Sequence, residues 1–280
     1  MNEEIVNNVA MNRVAIDLGF IQIYWYSIII LIAVLIGATV VYIEAKKQKM
    51  NPDDFTDLFF CTVVCGLLGA RIYYVIFNID YYLSNKLEIL AVWNGGLAIH
   101  GGIIGGALYL LHFCKKRKYN MLKLLDMMVV GLIIAQSIGR WGNFFNQEAF
   151  GPATTLKELQ DYMIPNFIID RMKILGVYHE PTFYYESLWN LNGFIILNMV
   201  RRLKKLKVGT LTGVYCIYYS IGRLYIESLR MDSLMIGPFK QAQIISILLI
   251  GLGVFLIVRN IKQKDRELYH NISNLKREEI

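Results

Sequence analysis

Four side chains in the last third of the chain, Tyr219, Arg223, Glu227 and Arg230, follow one another at spacings of 4, 4 and 3 residues. On a helix these spacings put them on one face. A plain i,i+4 Arg–Glu pair would account for the middle two. The segment Gly139-Arg140-Trp141-Gly142-Asn143-Phe144-Phe145-Asn146-Gln147-Glu148-Ala149-Phe150-Gly151 asks for more. Five hydrogen-bonding side chains fall within nine residues there, and loop capping would use two of them. In Trp93-Asn94-Gly95-Gly96-Leu97-Ala98-Ile99-His100-Gly101-Gly102, glycines bracket a histidine, which permits close backbone approach or a broken helix around it. Imidazole exchanges a proton near neutral pH, and guanidinium offers a planar fork of donors that suits phosphate oxygens. Together these residues could bind an anion and move a proton beside it.

The elements that must position them are read from composition. The chain has 280 residues, 55% of them apolar, 18% charged and 13% aromatic, with a mean hydropathy of +0.41. A soluble domain is about 45–50% apolar and about 25% charged, so an ordinary water-soluble protein is excluded. Uncharged runs at 18–43, 89–114 and 241–258 reach the ~18 residues that suggest a membrane span. Runs at 58–70, 127–139, 187–200 and 208–222 are shorter, and extending them takes in Arg71, Arg140, Glu186 and Arg223, with Asp126 near the start of the second of these four. The pattern predicts an all-α integral membrane protein of about seven transmembrane helices, near 22–43, 57–77, 96–114, 122–141, 182–200, 208–227 and 241–259. All five prolines fall in gaps or first turns of these helices. A single polytopic domain over 1–280 follows, with a long extracytoplasmic loop at 142–181 and a cytoplasmic tail at 260–280. That loop exceeds the ~12–15 residues of a plain connection, so it should be functional or carry short structure of its own.

Basic residues orient the helices. Lys46, Lys47 and Lys49, then Lys115, Lys116, Arg117 and Lys118, then Arg201, Arg202, Lys204, Lys205 and Lys207 lie on alternate connections. Arg259, Lys262, Lys264, Arg266, Lys276 and Arg277 follow in the tail. The positive-inside rule then puts the N-terminus outside and the C-terminus in the cytoplasm. The net charge of +7 reads as topology and attraction to anionic membrane lipids, with no basic–aromatic patch for nucleic acid. The start, MNEEIVNN, lacks a basic n-region, so the first helix is expected to stay as an anchor. Cys61, Cys65, Cys114 and Cys216 form no CxxC and read as small buried side chains. Gly105 and Gly106 read as helix-packing residues.

With this topology Arg71, Arg140, Arg223, His100, Glu186 and the Tyr24-Trp25-Tyr26 cluster all fall in the outer half of the bilayer. The cytoplasmic half holds only border charges such as Lys123 and Asp126. An arginine at a helix centre costs about 2.5–3.5 kcal/mol on insertion scales. One alone could snorkel to the headgroups; three with a histidine and acids at one depth predict an anion-binding cavity, and the anion available at that depth is a phospholipid headgroup.

The blocks GGLAIHGG at 95–102, GRWGNFFNQEAFG at 139–151, PTFYYE at 181–186 and GRLYIESLR at 222–230, with IYWYS at 23–27, resemble the signature blocks of the prolipoprotein diacylglyceryl transferase family. The resemblance runs from the first helix to the seventh. It departs where the family usually has His directly before the Pro of the fifth-helix block, since Glu180 separates His179 from Pro181. The resemblance implies a multi-pass enzyme of the bacterial cytoplasmic membrane with its active site toward the outside. Such an enzyme moves the diacylglyceryl group of phosphatidylglycerol to the lipobox cysteine of prolipoprotein signal peptides, forming a thioether and releasing glycerol phosphate. It is the first step of bacterial lipoprotein maturation. By similarity Arg140 matches the lipid-phosphate-binding arginine, with Asn143, Asn146 and Gly151 in the same block. Tyr26, His100, Glu148, Tyr219, Arg223 and Glu227 match other motif positions, here assigned to catalysis. Arg140 and Arg223 suit a clamp on the phosphate that gains charge as it departs. His100 is the candidate base for the thiol; Glu148 or Glu227 could equally accept the proton, or hold an arginine in place. No metal and no cofactor is implied, and lipid and peptide should enter sideways between helices. The roles of Arg71, His179 and Glu186 stay open. A secondary transporter for an anionic solute is the alternative, but its charges should lie near the midplane within two related halves. An intramembrane protease lacks its motif here, since no G-x-S-x-G surrounds Ser137.

Overall fold

A computed structural model describes residues 13–19, 22–231, 234–263, 265 and 267–276. The stretch MNEEIVNN and the basic residues Lys264, Arg266 and Arg277 lie outside the described residues. In chain order the elements are β1 (Val14–Asp17), β2 (Gln22–Tyr24), α1 (Trp25–Lys47), α2 (Pro52–Phe77), α3 (Ile79–Ser84), α4 (Ile99–Arg117), α5 (Met121–Asn146), β3 (Ala153–Thr154), α6 (Leu156–Asp161) and α7 (Asn166–Ile169). After these come β4 (Lys173–Ile174), β5 (Val177–His179), α8 (Thr182–Arg201), α9 (Thr210–Leu229), β6 (Met235–Ile236), β7 (Phe239–Lys240) and α10 (Gln241–Lys262).

The long helices α1, α2, α4, α5, α8, α9 and α10 stand at the seven expected places. Among the described residues four of them, α1, α2, α5 and α10, are long and apolar enough to cross a membrane. The chain is therefore a mostly helical membrane protein. Boundaries shift by a few residues, and the two that shift most, by five each, have local reasons. Helix α2 begins at Pro52, because the Asn51 side chain accepts the Asp53 N–H at 2.9 Å while Pro52, Asp53 and Asp54 occupy the favourable first turn. Helix α5 runs on to Asn146, five residues into the expected loop. Gly142 does not end it, since the Tyr26 ring fills the space beside its backbone and a Cβ there would lie 2.7 Å from a ring carbon.

The strands add to the all-α expectation. They form three small antiparallel sheets in the connections, β1-β2, β3-β5-β4 and β6-β7. The long connection carries structure of its own, with β3, β4, β5, α6 and α7 around a small core of Leu159, Ile164, Ile168 and Met172 packed on Phe144 and Phe183. A capping box between Thr155 and Glu158 starts α6.

The chain divides into two compact units, Met1–Val41 with Asp126–Arg266, and Tyr42–Leu125 with Glu267–Ile280. In the first unit small residues and polar pairs bring helices together. A Cβ on Gly37 would lie 2.7 Å from the Gly131 carbonyl, and one on Gly253 would lie 2.6 Å from that of Gly213, so these helix pairs approach at their backbones. Ser187 Oγ donates to the Ser137 carbonyl at 2.9 Å and Ser137 Oγ to the Ser187 carbonyl at 2.8 Å, joining α5 to α8. Helix α9 is held at both ends. The buried Asp126 carboxylate accepts from the backbone N–H of Gly209 and of Thr212 and from the Thr212 hydroxyl. At the other end Lys240 Nζ donates to the carbonyls of Glu227 (2.6 Å) and Arg230 (2.8 Å).

In the second unit α2 and α4 pack along a glycine seam, where a Cβ on Gly69, Gly101 or Gly105 would overlap the opposing backbone. A residue at Gly106 would meet only ordinary contact with Thr62, so Gly105 alone needs the packing role expected of both. The tail is more than a charged extension. Tyr269 is fully buried and donates to Glu44 at 2.8 Å, Lys276 pairs with Asp54 at 3.2 Å, and Asn120 Nδ2 donates to Glu267 at 2.8 Å. Lys123 is fully buried and donates to the Asn271 carbonyl at 2.5 Å. Lys123 and Asp126 are thus interior residues, correcting their reading as border charges: each is fully buried and bonded to backbone groups far away in sequence.

Candidate functional site

The first unit holds a chain of alternating charge. Arg140, on the last turns of α5, places Nη2 2.6 Å from Glu186 Oε1. The other Glu186 oxygen lies 2.9 Å from Arg223 Nη1 on α9, and Arg223 Nη2 lies 2.7 Å from Glu227 Oε2 one turn on. Arg230 Nη1 stands 3.7 Å from that same Glu227 oxygen. The carboxylates are 3% exposed and Arg140, Arg223 and Arg230 are 21%, 13% and 15% exposed, so the two carboxylates have left water and persist as charges by pairing with arginines that are themselves only partly wetted. Among the described contacts, Glu186 bridges two guanidinium groups and Glu227 faces two, so each carboxylate is shared between arginines. The hydroxyls of Tyr26 and Tyr219 are among the groups that face the Arg140 guanidinium, and the Tyr219 ring stacks on Tyr215 at 5.6 Å.

Local sequence explains the placement. On α9 the 4, 4, 3 spacing aligns Tyr219, Arg223, Glu227 and Arg230, and Lys240 fixes the end of that face through the Glu227 carbonyl. On α8 the buried positions Phe183, Glu186, Ser187, Asn190, Gly193 and Leu197 recur every three or four residues, so one helix face is polar and turned inward. Glu186, whose role the sequence left open together with those of Arg71 and His179, here bridges both arginines. The signal that could have found it is that polar stripe of Glu, Ser and Asn on an otherwise apolar helix.

Other expected site residues gather in a second group. Asn146 Nδ2 donates to Glu148 Oε1 at 3.4 Å, and the Glu148 N–H donates to the Asn143 carbonyl at 3.0 Å, forming the turn that leaves α5. Glu148 is exposed. Gly151 meets the start of α8 at very close range: its N–H donates to the Glu180 carbonyl at 2.8 Å, and a Cβ on it would lie 2.9 Å from Thr182 Cγ2 and 3.0 Å from Glu180 Cβ. His179 turns Nδ1 to the Gly151 carbonyl at 3.0 Å and its ring packs edge-on against Phe150. Both therefore serve the joint between the 139–151 block and α8. Burial pushes the Glu180 carboxyl above its usual range, and Glu158 adds to the shift.

A cavity of about 810 Å³ opens beside α8 and α9, lined by Tyr185, Leu188, Trp189, Ile221, Tyr225 and Leu229. The Gly222 backbone sits directly under the Trp189 indole.

His100 and Arg71 belong to the second unit. His100 is half-buried in the first turn of α4, its ring 6.1 Å from that of Tyr73. Arg71 corrects the expectation of a three-arginine anion cavity. Its Nε donates to the Ile89 carbonyl at 2.9 Å, Nη1 to those of Gly95 and Gly96 at 2.8 and 2.9 Å, and Nη2 to those of Glu88 and Ala91. All five guanidinium N–H groups are spent on backbone, with none left for a phosphate.

The family model for prolipoprotein diacylglyceryl transferase matches residues 13–259. Two proteins named phosphatidylglycerol–prolipoprotein diacylglyceryl transferase are each 46% identical to this chain. The match to the Listeria innocua protein covers 89% of both chains, and that to the Streptococcus pneumoniae protein covers 91% of this chain and 96% of the relative.

Proposed function

The chain belongs to the prolipoprotein diacylglyceryl transferase family, and from that premise we propose that its Arg140–Glu186–Arg223–Glu227 network is the phosphate site of the reaction. The protein is a membrane transferase that moves the diacylglyceryl group of phosphatidylglycerol to prolipoprotein. Nothing among its relatives supports the transporter alternative.

In the step proposed, the thiolate of the lipobox cysteine attacks the glyceryl carbon that carries the phosphate. The C–S bond forms as the C–O bond breaks, and glycerol phosphate departs with the electron pair. The thiol proton passes to a base and finally to solvent. A phosphodiester carries one negative charge and the departing monoester acquires a second, so the attraction of a fixed cation grows toward the transition state. The observation that carries the reading is the pairing itself: the two oxygens of Glu186 hold Arg140 and Arg223 side by side, and Glu227 holds Arg223 from the next turn. Two guanidinium groups fixed in this way suit the ground-state monoanion and stabilise the dianion more. Glu227, engaged by Arg223 and Arg230, acts as an arginine holder, which leaves His100 or the exposed Glu148 as the base. Free thiol has a pKa of about 8.5, so a base or positive field is needed near neutral pH. Tyr26 and Tyr219 orient Arg140, while Asn143, Asn146 and Gly151 shape the turn beside it. The apolar cavity beside α8 and α9 supports sideways entry of an acyl chain or signal peptide from the bilayer.

The same reading takes all seven long helices across the bacterial cytoplasmic membrane, with the N-terminus and the site outside. Helices α8 and α9 fall short of a purely apolar span because they bury Glu186, Asn190, Ser220 and Glu227. Basic residues end α1, α4, α8 and α10, as the cytoplasmic ends of spans would. The test is reconstitution with phosphatidylglycerol and a lipobox peptide, followed by mass spectrometry. A diacylglyceryl adduct is expected on the Cys peptide and not on its Cys→Ser form; folded protein that yields no adduct overturns the reading.

A further inference from the structure

Arg71 has no place in the anion site, yet it is a buried cation with an elaborate set of partners. The segment it holds, 86–98, has little to hold itself. It contains two short 3₁₀ turns, and its large apolar side chains Leu87, Leu90 and Trp93 are 94%, 78% and 76% exposed, so they supply no core. Gly95 and Gly96 then take φ of +85° and +71°, and a chain running through two such positions does not choose its course by local preference. The course is set from outside, by five carbonyls turned onto one guanidinium, with the Tyr82 ring 5.3 Å from its centre.

That course ends at His100. The Ala98 N–H donates to the Ala70 carbonyl at 3.1 Å, next in sequence to Arg71, and Ala98 opens α4 with no capping side chain. His100 follows in the first turn, and immediately after it Gly101 presses onto the Gly69 backbone with no room for a Cβ. The backbone that carries His100 is therefore held between two anchors on α2: the glycine seam on its C-terminal side and the arginine web on its N-terminal side. We propose that Arg71 is a positioning residue, which sets the geometry of His100 by gathering the carbonyls of residues 88–96. Five donors in a rigid fork are required. Lysine keeps the charge but offers three donors from a single point and cannot span carbonyls that lie on both edges of the guanidinium plane. The catalytic consequence, though not the positioning, rests on the assignment of His100 as a base.

The test compares wild type, R71K and G95A in detergent micelles. Gly95 has open space around its missing Cβ, so alanine there leaves the arginine side chain intact and disturbs, through the positive φ, one of the carbonyls it gathers. His100 is followed by its rate of modification with diethyl pyrocarbonate, read by peptide mass spectrometry. His112 on the exposed flank of the same helix is the internal control. Both variants are expected to change the His100 rate at least threefold and leave that of His112 within 1.5-fold. The turnover number should fall at least tenfold with the KM for phosphatidylglycerol within twofold. An unchanged His100 rate in both variants overturns the proposal, as does a parallel change at His112, which would mean that α4 as a whole has loosened. A changed His100 rate with full turnover leaves the positioning standing and removes His100 as the base.

Discussion

Glu186 offers the sharpest test of the site, because replacing it by glutamine keeps its shape and removes only its charge. The carboxylate is 2% exposed and makes two charge-assisted contacts, 2.6 Å to Arg140 and 2.9 Å to Arg223. Breaking a buried ion pair from one side costs about 3–5 kcal/mol. The amide oxygen can still accept from one arginine, and Arg140 is partly wetted, so the lower end applies, about 3 kcal/mol or roughly 150-fold in the folding equilibrium. The same change removes one negative charge from beside Arg140 and Arg223 and so makes the network more positive by one unit. Ground-state binding of a monoanionic lipid should then tighten while the forks lose their common anchor. The KM for phosphatidylglycerol is expected to fall about threefold to tenfold and the turnover number at least tenfold. Denaturant unfolding followed by tryptophan fluorescence, and transfer kinetics over a phosphatidylglycerol series, measure both. A midpoint equal to wild type within about 0.5 kcal/mol would refute the bridging role. A KM that rises with unchanged turnover would refute the electrostatic part of the reasoning.

R140A should lower transfer by about 10²–10³-fold, the scale of losing one transition-state donor, while R140K recovers little because the fork is lost; retained activity in a folded R140A protein would take Arg140 out of the site. D126N leaves three donors at the start of α9 facing a weaker acceptor, and should cost about 2–4 kcal/mol in denaturant unfolding, with turnover reduced because α9 carries Tyr219, Arg223 and Glu227. G151A forces a Cβ to within 2.9 Å of Thr182, and a loss of about 1–3 kcal/mol is expected where an ordinary exposed glycine would show none. Because burial raises the Glu180 carboxyl, the folded state binds a proton more tightly than the unfolded chain there. Stability should rise as pH falls through the raised folded value toward the ordinary carboxylate range, and E180Q should remove that increment from the melting profile.

The helices were legible because a helix in lipid must satisfy its backbone within itself, and a run of apolar residues declares this locally. Misjudged ends had local causes of another kind. Asn51, Pro52 and Asp53 make a good helix start whose charges look like a loop, and Gly142 lies inside α5 with the Tyr26 ring packed where a Cβ would be. The same holds within the site. Arg223 and Glu227 were paired by their spacing, and Arg140 stood out by its company of Asn and Glu. Asn143, Asn146, Glu148 and Gly151 belong to that company but form a turn and a helix joint instead of the ion network.

By itself the sequence determined the membrane class, the places of the long helices, the alternation of basic connections and the identity of the charges that interrupt apolar runs. These follow from composition and from periodicity over a few residues. Tertiary structure decided which of those charges meet. Arg140 and Arg223 lie 83 positions apart and share Glu186, whereas Arg71, alike in type, gives every donor to carbonyls 17 to 25 residues away. A buried guanidinium must be satisfied by whatever acceptors the packing brings to it, and no one-dimensional spacing says whether these are carboxylates that leave a charge to use or backbone oxygens that leave none.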